Sequence, residues 1–527
     1  MSRRDVDRSE LAPGAGREDT GPGATSGNTG PTGGGTAEGR ATTEGSATTL
    51  GTGLGLGLGA ALPAAMPLMA TVGSRRGSDE PGRAPDGTGT LAVLRNRSFL
   101  LLWLAQAATQ VGGNMVIYGL TVLVFSTTHS NSAVSLLLLT FLAPAVFLSA
   151  VAGVYVDRLD RRHILIVTNL FRVVFFLLVF VAQANVTAIF VLNVAISAVT
   201  TFFAPAEAAM IPTLVPRHQL LAANGLFTLT LNAAFALGFA LLGPLVVNLA
   251  GPEALILLVA ALYFVAMIFT ITLPAAPPAP TAAYRRRASQ AVLDTERAVG
   301  STFGQLRDGL DYIHAHRTIG WSLAYLGITA SLIGVLGVLG PDFAAAALGL
   351  APKDFVVVVL PLGFGIVTGI LLLNSYGSRV SRRRLMEGGL IALGTLLVLL
   401  AAAGPITRFL QRAGAATSFD LSALVSLLAV VVAIAFAMGV CYALVAIPAQ
   451  TGLQEELPEE VRGRVFGVLN MLVSVASLLP IIVVGPISDL VGTTAVLVVV
   501  GIVVAVTGVA SILTRRPPSG APAGLSG

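Results

Sequence analysis

The sequence predicts an all-α integral membrane protein with twelve transmembrane helices in two six-helix repeats and both termini in the cytoplasm. Composition is the first reason, because the chain is 54% hydrophobic and 11% charged, whereas soluble domains carry about 25% charged residues. The second is a series of apolar runs close to the length of about 20 residues that crosses a bilayer. The third is that arginines occupy alternate loops between these runs, as cytoplasmic loops do.

Composition also argues against several kinds of site. The single cysteine, Cys441, cannot form an intrachain disulfide or a thiolate metal cage. The net charge of +5 comes from arginines dispersed over short loops, and Lys353 is the only lysine. Nucleic-acid binding needs a clustered basic face, so we expect no nucleic-acid partner, and no motif indicates a cofactor or a metal.

Residues 1–90 are rich in glycine, threonine, serine and alanine. They predict a disordered cytoplasmic tail, because such a segment cannot bury enough apolar surface to fold. The apolar run Leu54–Val72 within it is not predicted to span the membrane, since its glycines and prolines disfavour a helix.

The remaining chain divides into bundles and connecting segments. We predict an N-terminal six-helix bundle at 91–273, a cytoplasmic linker at 274–318, a C-terminal bundle at 319–514 and a cytoplasmic tail at 515–527. The predicted helices one to twelve occupy residues 99–125, 132–156, 164–183, 187–204, 222–247, 253–273, 319–340, 355–374, 385–403, 421–446, 465–488 and 491–513.

The basic residues orient these helices. One side carries Arg95, Arg97, Arg158, Arg161, Arg162, Arg217, Arg285, Arg286, Arg287, Arg379, Arg382, Arg383, Arg384, Arg462, Arg464, Arg515 and Arg516. The loops of the other side carry only Lys353, Arg408 and Arg412. The arginine-rich side is therefore predicted to be cytoplasmic.

A proline spacing repeats between the two halves. Pro216 and Pro244 lie 11 and 39 residues after Pro205, and Pro458 and Pro486 lie 10 and 38 residues after Pro448. Both Pro244 and Pro486 follow a glycine. The spacing indicates two parallel six-helix repeats, as in one large group of transporters.

A charged loop joins predicted helices two and three. Its conspicuous residues are Gly153, Asp157, Arg158, Asp160, Arg161 and Arg162. The loop resembles the Gly-x-x-x-Asp-Arg-x-Gly-Arg-Arg signature of the major facilitator superfamily, with Asp160 at the position of the second glycine. The alternative interpretation is a charge cluster that only sets topology.

Two further segments resemble the macrolide-efflux and enterobactin-exporter-like branch of that superfamily, a branch of drug:proton antiporters. They are Phe202–Pro205 with Leu214–Arg217, and Gln454–Gly467, and Leu102-Trp103 adds to them. The resemblance implies a monomeric secondary exporter in the cytoplasmic membrane that moves hydrophobic or amphipathic compounds (drugs, macrolides or siderophore-like molecules), with protons as the coupling partner.

Other classes remain as alternatives. An uncoupled facilitator would have the same sequence features, and a non-transport membrane protein such as a lipid-modifying enzyme is a second possibility. An enzyme would need a cluster of histidines and acids near the interface, and His314 and His316 have no such partners nearby. A phosphate loop ending in Gly-Lys-Ser/Thr does not occur, which argues against ATP-driven transport. We expect a transporter and not an enzyme.

Polar side chains at helical spacing predict which helices line a central cavity. Helix one carries Gln106, Gln110 and Asn114 at i, i+4 and i+8, which places them on one face. The alternative is hydrogen bonding between helices, which membrane bundles use routinely. The predicted cavity wall comprises Gln106, Gln110, Asn114, Tyr118, Asn193, Asn232, Trp321, Tyr325, Tyr442 and Asn470.

Charges within the predicted bilayer are few. Arg172 lies inside helix three, and we expect it to reach the cytoplasmic face and pair with Asp157 or Asp160; the alternative is a functional charge within the membrane. With the signature loop and Arg464 it makes up the predicted cytoplasmic gate. The acids near helix ends, Asp342, Glu207 and Asp157, are the candidates for proton coupling, and Asp342 is the first to test. The alternative for Asp342 and Glu207, and for Asp489 at another helix end, is an acid that only occupies the membrane interface. Because no acid occupies the middle of a cavity helix, neutral or weakly cationic substrates are predicted.

Overall fold

The computed structural model describes residues 93–156, 159–275, 317–415, 426–456 and 478–513. Nine helices within these ranges are long and apolar enough to cross a membrane, and shorter apolar segments occur at Asn131–Ala145 and Leu478–Val491. In the first half the helices are α1 (Arg97–Thr128), α2 (Asn131–Val156), α3 (Arg161–Val181), α4 (Val186–Leu214), α5 (Leu220–Phe235) and α6 (Gly243–Ile271). In the second half they are α7 (Arg317–Asp342), α8 (Val356–Tyr376), α9 (Arg382–Ala401), a surface helix (Ala403–Ala415), α10 (Leu427–Glu456), α11 (Leu478–Val491) and α12 (Thr493–Leu513).

Short polar residues begin three of the first-half helices. The side chain of Asn96 accepts the backbone N–H groups of Ser98 and Phe99, Asp160 accepts that of Arg162, and Asn185 accepts that of Ala188. Each satisfies an N–H group that has no partner within its own helix. The helices that follow these caps start within three residues of the predicted starts of helices one, three and four.

Helices α4, α5, α6 and α10 depart from their predicted bounds by more than three residues. Helix α10 continues past Pro448 to Glu456, although the prediction ended it at residue 446. Helix α4 continues to Leu214, through Pro205 and Pro212, although the prediction ended it at residue 204. Proline is tolerated there because neighbouring groups in a membrane bundle satisfy the freed carbonyls. Helices α5 and α6 are joined by a π-helical segment, Ala236–Leu242, and the sharp change of direction comes later, at Gly251, whose φ of 86° suits glycine.

Three helix pairs recur in both halves, whereas α1 packs closely on α6 and α7 meets α12 only slightly. In the first half α2 packs on α4, and α3 packs on both α4 and α6. In the second half α8 packs on α10, and α9 packs on both α10 and α12. The proline repeat in the sequence therefore corresponds to a repeated pattern of helix packing within the described residues.

Glycines allow the closest of these contacts. A Cβ atom on Gly365 of α8 would overlap the carbonyl oxygen of Phe436 in α10, and a Cβ on Gly439 would overlap that of Leu362. Small residues let membrane helices approach until their backbones touch. The lipid-facing side of the fold is apolar, as at Val503 of α12, which is 58% exposed.

The described halves meet at one end of the bundle. We call it the Lys353 end, because the segment between α7 and α8 lies there, and we call the opposite end, where α3 begins, the Asp160 end. The hydrogen bonds between described residues of different halves lie at the Lys353 end and involve Tyr118 or the start of α2.

Candidate functional site

An acid of the second half binds the start of a first-half helix at the Lys353 end. The carboxylate of Asp489 accepts the backbone N–H of Asn131 at 2.8 Å and that of Ser132 at 2.9 Å. It also accepts the hydroxyl groups of Ser130 at 2.7 Å and Ser132 at 2.6 Å. A carboxylate at a helix N-terminus satisfies exposed N–H groups and the positive end of the helix dipole. Asp489 thus caps α2 from the opposite half.

Asp342 occupies a second position in this contact. Its Oδ2 accepts the amide of Asn131 at 3.0 Å and the hydroxyl of Thr493. Asn131 is 3% exposed and lies between the two acids. Asp342, predicted as a proton-coupling candidate, is therefore part of the junction between the halves. We call Asn131, Asp342 and Asp489 the polar latch.

An aromatic contact lies beside the polar latch. Tyr118 of α1 stacks on Phe355, with ring centroids 4.5 Å apart and planes inclined by 12°. Its hydroxyl donates to the carbonyl of Lys353, and Phe239 meets Tyr118 edge-on at 5.9 Å. The predicted cavity residue Tyr118 is thus fully buried between the halves in this conformation.

Two polar side chains on one face of α1 have side-chain oxygens that accept no hydrogen bond. Gln106 donates from Nε2 to the carbonyl of Phe227 at 3.5 Å, and Asn114 donates from Nδ2 to the carbonyl of Gln110 at 2.8 Å. Among described residues, neither Gln106 Oε1 nor Asn114 Oδ1 has a hydrogen-bond partner, although both are buried. An unsatisfied buried acceptor is unfavourable, and a ligand carrying N–H or O–H groups would relieve it.

Two polar side chains of α4, Asn193 and Ser197, face a neighbouring helix. Asn193 donates to the Leu137 carbonyl at 3.2 Å and to the Thr140 hydroxyl at 3.0 Å, both on α2. Ser197 donates to the Phe141 carbonyl of the same helix. These contacts support the interhelical alternative for Asn193, because its donors are used within the first half.

The aromatic candidates of the second half lie in two places. The Tyr325 hydroxyl is 2.5 Å from the hydroxyl of Ser511 on α12, and half-buried Trp321 lies beside Tyr325 with ring centroids 5.9 Å apart. Tyr442 is 4% exposed and belongs to an apolar cluster with Ile333. Phe235 of the first half packs against that cluster.

The expected position of Arg172 requires a correction. Its side chain is 2% exposed and does not extend to the Asp160 end. The guanidinium donates to the Thr200 hydroxyl at 3.1 Å and to Asn169 Oδ1 at 3.2 Å. It also lies over the rings of Phe203 at 4.3 Å and Tyr263 at 5.1 Å. A cation over aromatic faces is attracted by the ring quadrupole, and helices α4 and α6 supply these partners.

Glu207 lies near this buried cation. It is 5% exposed, and its Oε1 has no hydrogen-bond partner among described residues. The prediction ended this helix at residue 204, before Glu207. In the structure α4 continues for seven residues beyond Glu207. Phe203, whose ring contacts the Arg172 guanidinium, lies one turn before Glu207 on α4. We call Arg172, Asn169, Thr200, Glu207 and Tyr263 the buried charge cluster.

The described part of the signature loop is bonded locally. Asp160 caps α3, and its Oδ2 accepts a hydrogen bond from the ring nitrogen Nδ1 of His163 at 2.9 Å. Arg161 donates to the carbonyl of Ala209 at 3.4 Å, and Arg162 donates to that of Ile271. These bonds join α3 to the ends of α4 and α6, so the expected pairing of Asp160 with Arg172 is replaced by capping.

Several predicted site residues lie outside the described residues, namely Asp157, Arg158, Arg464 and Asn470. The same holds for the side chain of Asn232 and the surroundings of Gly153, which lies within α2. The predicted tails and most of the predicted linker also fall there.

Sequence reasoning missed one buried acid. Glu387 of α9 is 1% exposed, and its Oε1 accepts from Arg383 Nε at 2.9 Å. Its side chain also lies 3.5 Å from the Ser511 hydroxyl that meets Tyr325. The spacing of Arg383 and Glu387, four residues apart, was the available signal, since such pairs meet on one helix face.

The sequence matches the family model of the Major Facilitator Superfamily over residues 102–479. The chain belongs to this superfamily. It is therefore a multi-pass membrane protein of a transporter family and not an enzyme.

Two proteins of Bacillus subtilis (strain 168) are similar in sequence, and both are described as uncharacterized MFS-type transporters. YkuC is 26% identical over 322 residues, which cover 58% of this chain and 71% of YkuC. YfiS is 22% identical over 440 residues, which cover 80% of this chain and 95% of YfiS.

Solved structures share the fold. The nucleoside transporter NupG superposes with a TM-score of 0.56 at 16% identity, over 79% of this chain and 99% of NupG. An auto-inhibited peptide transporter of the POT family gives 0.57 at 15% identity, over 81% of this chain and 99% of that structure. At this identity the likeness concerns the fold alone.

Proposed function

We propose that this protein is a monomeric secondary exporter of hydrophobic or amphipathic small molecules, located in the cytoplasmic membrane and working by alternating access. We also propose that the chain has twelve membrane spans and that both of its termini lie in the cytoplasm. The observation that carries it is the position of the contacts between halves. The polar latch and the stack of Tyr118 on Phe355 join the halves at the Lys353 end.

The arginine distribution gives this contact a direction. If the Asp160 end is cytoplasmic, the Lys353 end faces outward and is closed in this conformation. An exporter loads its substrate from the cytoplasm while its outer end is closed. The latch must then separate for release, and hydrogen bonds at the rim of a bundle can break without unfolding either half.

The side chains of α1 support a substrate class. Gln106 and Asn114 offer buried carbonyl oxygens without partners, and Tyr442 lies in an apolar cluster between the halves. Such surroundings suit a largely apolar molecule with one or two N–H or O–H donors. Drugs, macrolides and siderophore-like compounds of neutral or weakly cationic character fit this description, whereas a multiply charged anion would lack compensation.

The buried charge cluster supports proton coupling. A carboxyl can carry a proton if its surroundings differ between two conformations. Glu207 has an unpartnered oxygen, and the buried guanidinium of Arg172 contacts Phe203 one turn before it, so a small shift of α3 against α4 would alter the separation of Glu207 and Arg172. Asp342 is a weaker candidate, because Oδ2 already accepts two hydrogen bonds. An uncoupled facilitator is the competing function.

Flux in reconstituted vesicles tests the proposal. Purified protein without ATP should accelerate the movement of at least one compound from a panel of hydrophobic drugs, and an imposed pH gradient should drive it uphill. A disulfide between Ser132→Cys and Asp489→Cys, in a Cys441→Ser background, should lock the Lys353 end and abolish flux until a reductant is added. Flux equal to that of protein-free vesicles for the whole panel, or flux that survives the locked end, would refute the exporter.

A further inference from the structure

The surface helix Ala403–Ala415 is the one described helix of this length that does not belong to the packed bundle of spans. It begins directly after α9, with Ala402 between them. Helix α9 runs antiparallel to α12, because Glu387 lies near Ser511, whereas Gly394, farther along α9, meets Gly501, which comes earlier in α12. The end of α9 and the surface helix are therefore at the Lys353 end, at the level where α12 begins.

The helix has two different faces. Ala403 and Thr407 are 2% and 4% exposed and lie on the side that packs toward α9 and α10. Arg408 and Arg412, one turn apart, are exposed on the opposite side. Phe409 lies at the edge of that side and is 70% exposed. The exposed side of the helix therefore carries one bulky apolar side chain next to two cations.

Both neighbours of the helix in the chain are apolar helices of membrane-spanning length, α9 and α10. Their ends at this side fix the depth of the surface helix, which must lie near the boundary between acyl chains and water. Amphipathic helices at this boundary carry arginine on the polar face and bulky apolar residues on the other. Arginine can also extend its apolar stem along the interface while its guanidinium stays hydrated.

We infer that the surface helix is a lipid-binding element, in which Arg408 and Arg412 bind the phosphates of anionic phospholipid headgroups and Phe409 inserts among the adjacent acyl chains. A guanidinium matches phosphate oxygens in charge and in hydrogen-bond geometry. The inference also accounts for the sequence pattern. These two arginines are the exceptions on the side that is otherwise poor in basic residues, and they lie on one helix rather than in loops.

The inference depends on the membrane fold and not on the transported substrate. It can therefore fail while transport is observed, or hold where no flux is found. The ligand is a phospholipid and not inorganic phosphate, because the acyl chains of a lipid can contact Phe409 and inorganic phosphate has no apolar part.

Fluorescence quenching by brominated lipids tests the inference. Phe409→Trp is reconstituted with equal fractions of brominated phosphatidylglycerol or brominated phosphatidylcholine, and the signal of the parent chain, which contains Trp103 and Trp321, is subtracted. We expect stronger quenching by phosphatidylglycerol. An arginine beside an anionic surface contributes about fivefold in affinity, so Arg408→Gln with Arg412→Gln should abolish most of the preference.

Matched controls keep the result interpretable. Arg379→Gln with Arg384→Gln removes two exposed arginines at the opposite end and should leave the preference intact. Unchanged quenching of Trp103 and Trp321 shows that each variant is folded. Equal quenching by the two lipids, no quenching by either, a preference that survives loss of both arginines, or its removal by inorganic phosphate would each overturn the inference.

Discussion

Asp489 caps α2 across the junction between the two halves, with its carboxylate 2.8 Å from the backbone nitrogen of Asn131. The two residues are 358 positions apart in the sequence. A bond between a helix start in one half and an acid in the other is made only while this end is closed. The polar latch therefore stabilises the conformation in which the Lys353 end is closed, and changes in it should shift the balance between closed and open molecules.

Replacing Asp489 with asparagine should favour opening of the Lys353 end. The change removes the negative charge at the start of α2, a contribution of about 0.3–1 kcal/mol at an exposed site. The ratio of closed to open molecules should fall by about twofold to fivefold. Distances between spin labels at Thr127→Cys and Leu428→Cys, in a Cys441→Ser background, measure that ratio.

The matched control is Glu253→Gln. Glu253 is an exposed acid in α6, next to the bend at Gly251, and does not take part in the polar latch. Its replacement should leave the distance distribution unchanged. Equal shifts in both variants would mean that any loss of acid at this end has the same effect, and the latch would have no specific role.

The sequence predicted some helices closely because each span depends on local apolar length, but the start of α6 and the end of α10 lie ten residues from their predicted positions. Helices α1 and α2 begin and end within three residues of their predicted bounds. Pro205 misled the prediction for α4, since a proline that ends a helix in water can be accommodated inside a membrane bundle. The surface helix was missed because its apolar and charged residues are too mixed for a search based on apolar length.

The partners of the polar side chains were less predictable. The depth of Arg172 followed from counting along the helix, but its contacts with Thr200 and Tyr263 come from α4 and α6 and depend on how three helices rotate against one another. The contact of Asp489 with Asn131 requires the relative position of both halves. A helical stripe likewise cannot distinguish a cavity wall from a helix contact, as Asn193 illustrates.

Glu207→Gln should uncouple transport from the proton gradient. Glutamine keeps the size and polarity of the side chain and cannot change its proton occupancy. We expect loss of uphill accumulation under an imposed pH gradient, whereas exchange of labelled for unlabelled substrate without a gradient should persist. Vesicle flux in both modes separates the two effects.

Asp342→Asn is the companion variant. Because Asp342 bonds Asn131 and Thr493 in the polar latch, its replacement should alter the closed state and leave the response to the gradient. If Asp342→Asn abolishes the response while Glu207→Gln keeps it, the proton is carried at Asp342. If the native protein ignores the gradient, the uncoupled facilitator is the correct function.

Asp157→Asn tests the predicted cytoplasmic gate, which lies outside the described residues. We expect the carboxylate of Asp157 to lie near the start of the predicted helix at 465–488. There it would stabilise cytoplasmic closure through the helix dipole and Arg464. The variant should transport more slowly while its thermal unfolding is unchanged. Glu253→Gln is the control, since Glu253 is an exposed acid outside the predicted gate. An Asp157 variant with native transport rate would remove the gate role.

Gly365→Ala should destabilise the second half by forcing α8 away from α10. The added Cβ would overlap the carbonyl oxygen of Phe436, which is backbone and cannot rotate aside. Overpacking of this kind costs about 1–3 kcal/mol.

Gly363→Ala is a close control, because a Cβ at Gly363, two residues earlier in the same helix, meets nothing within 4 Å. Alanine is favoured over glycine in a helix by about 1 kcal/mol, so the control should be as stable as the parent or more so. Thermal unfolding of the three proteins in one detergent measures the difference, and equal midpoints for both alanine variants would show that α8 and α10 do not approach at Gly365.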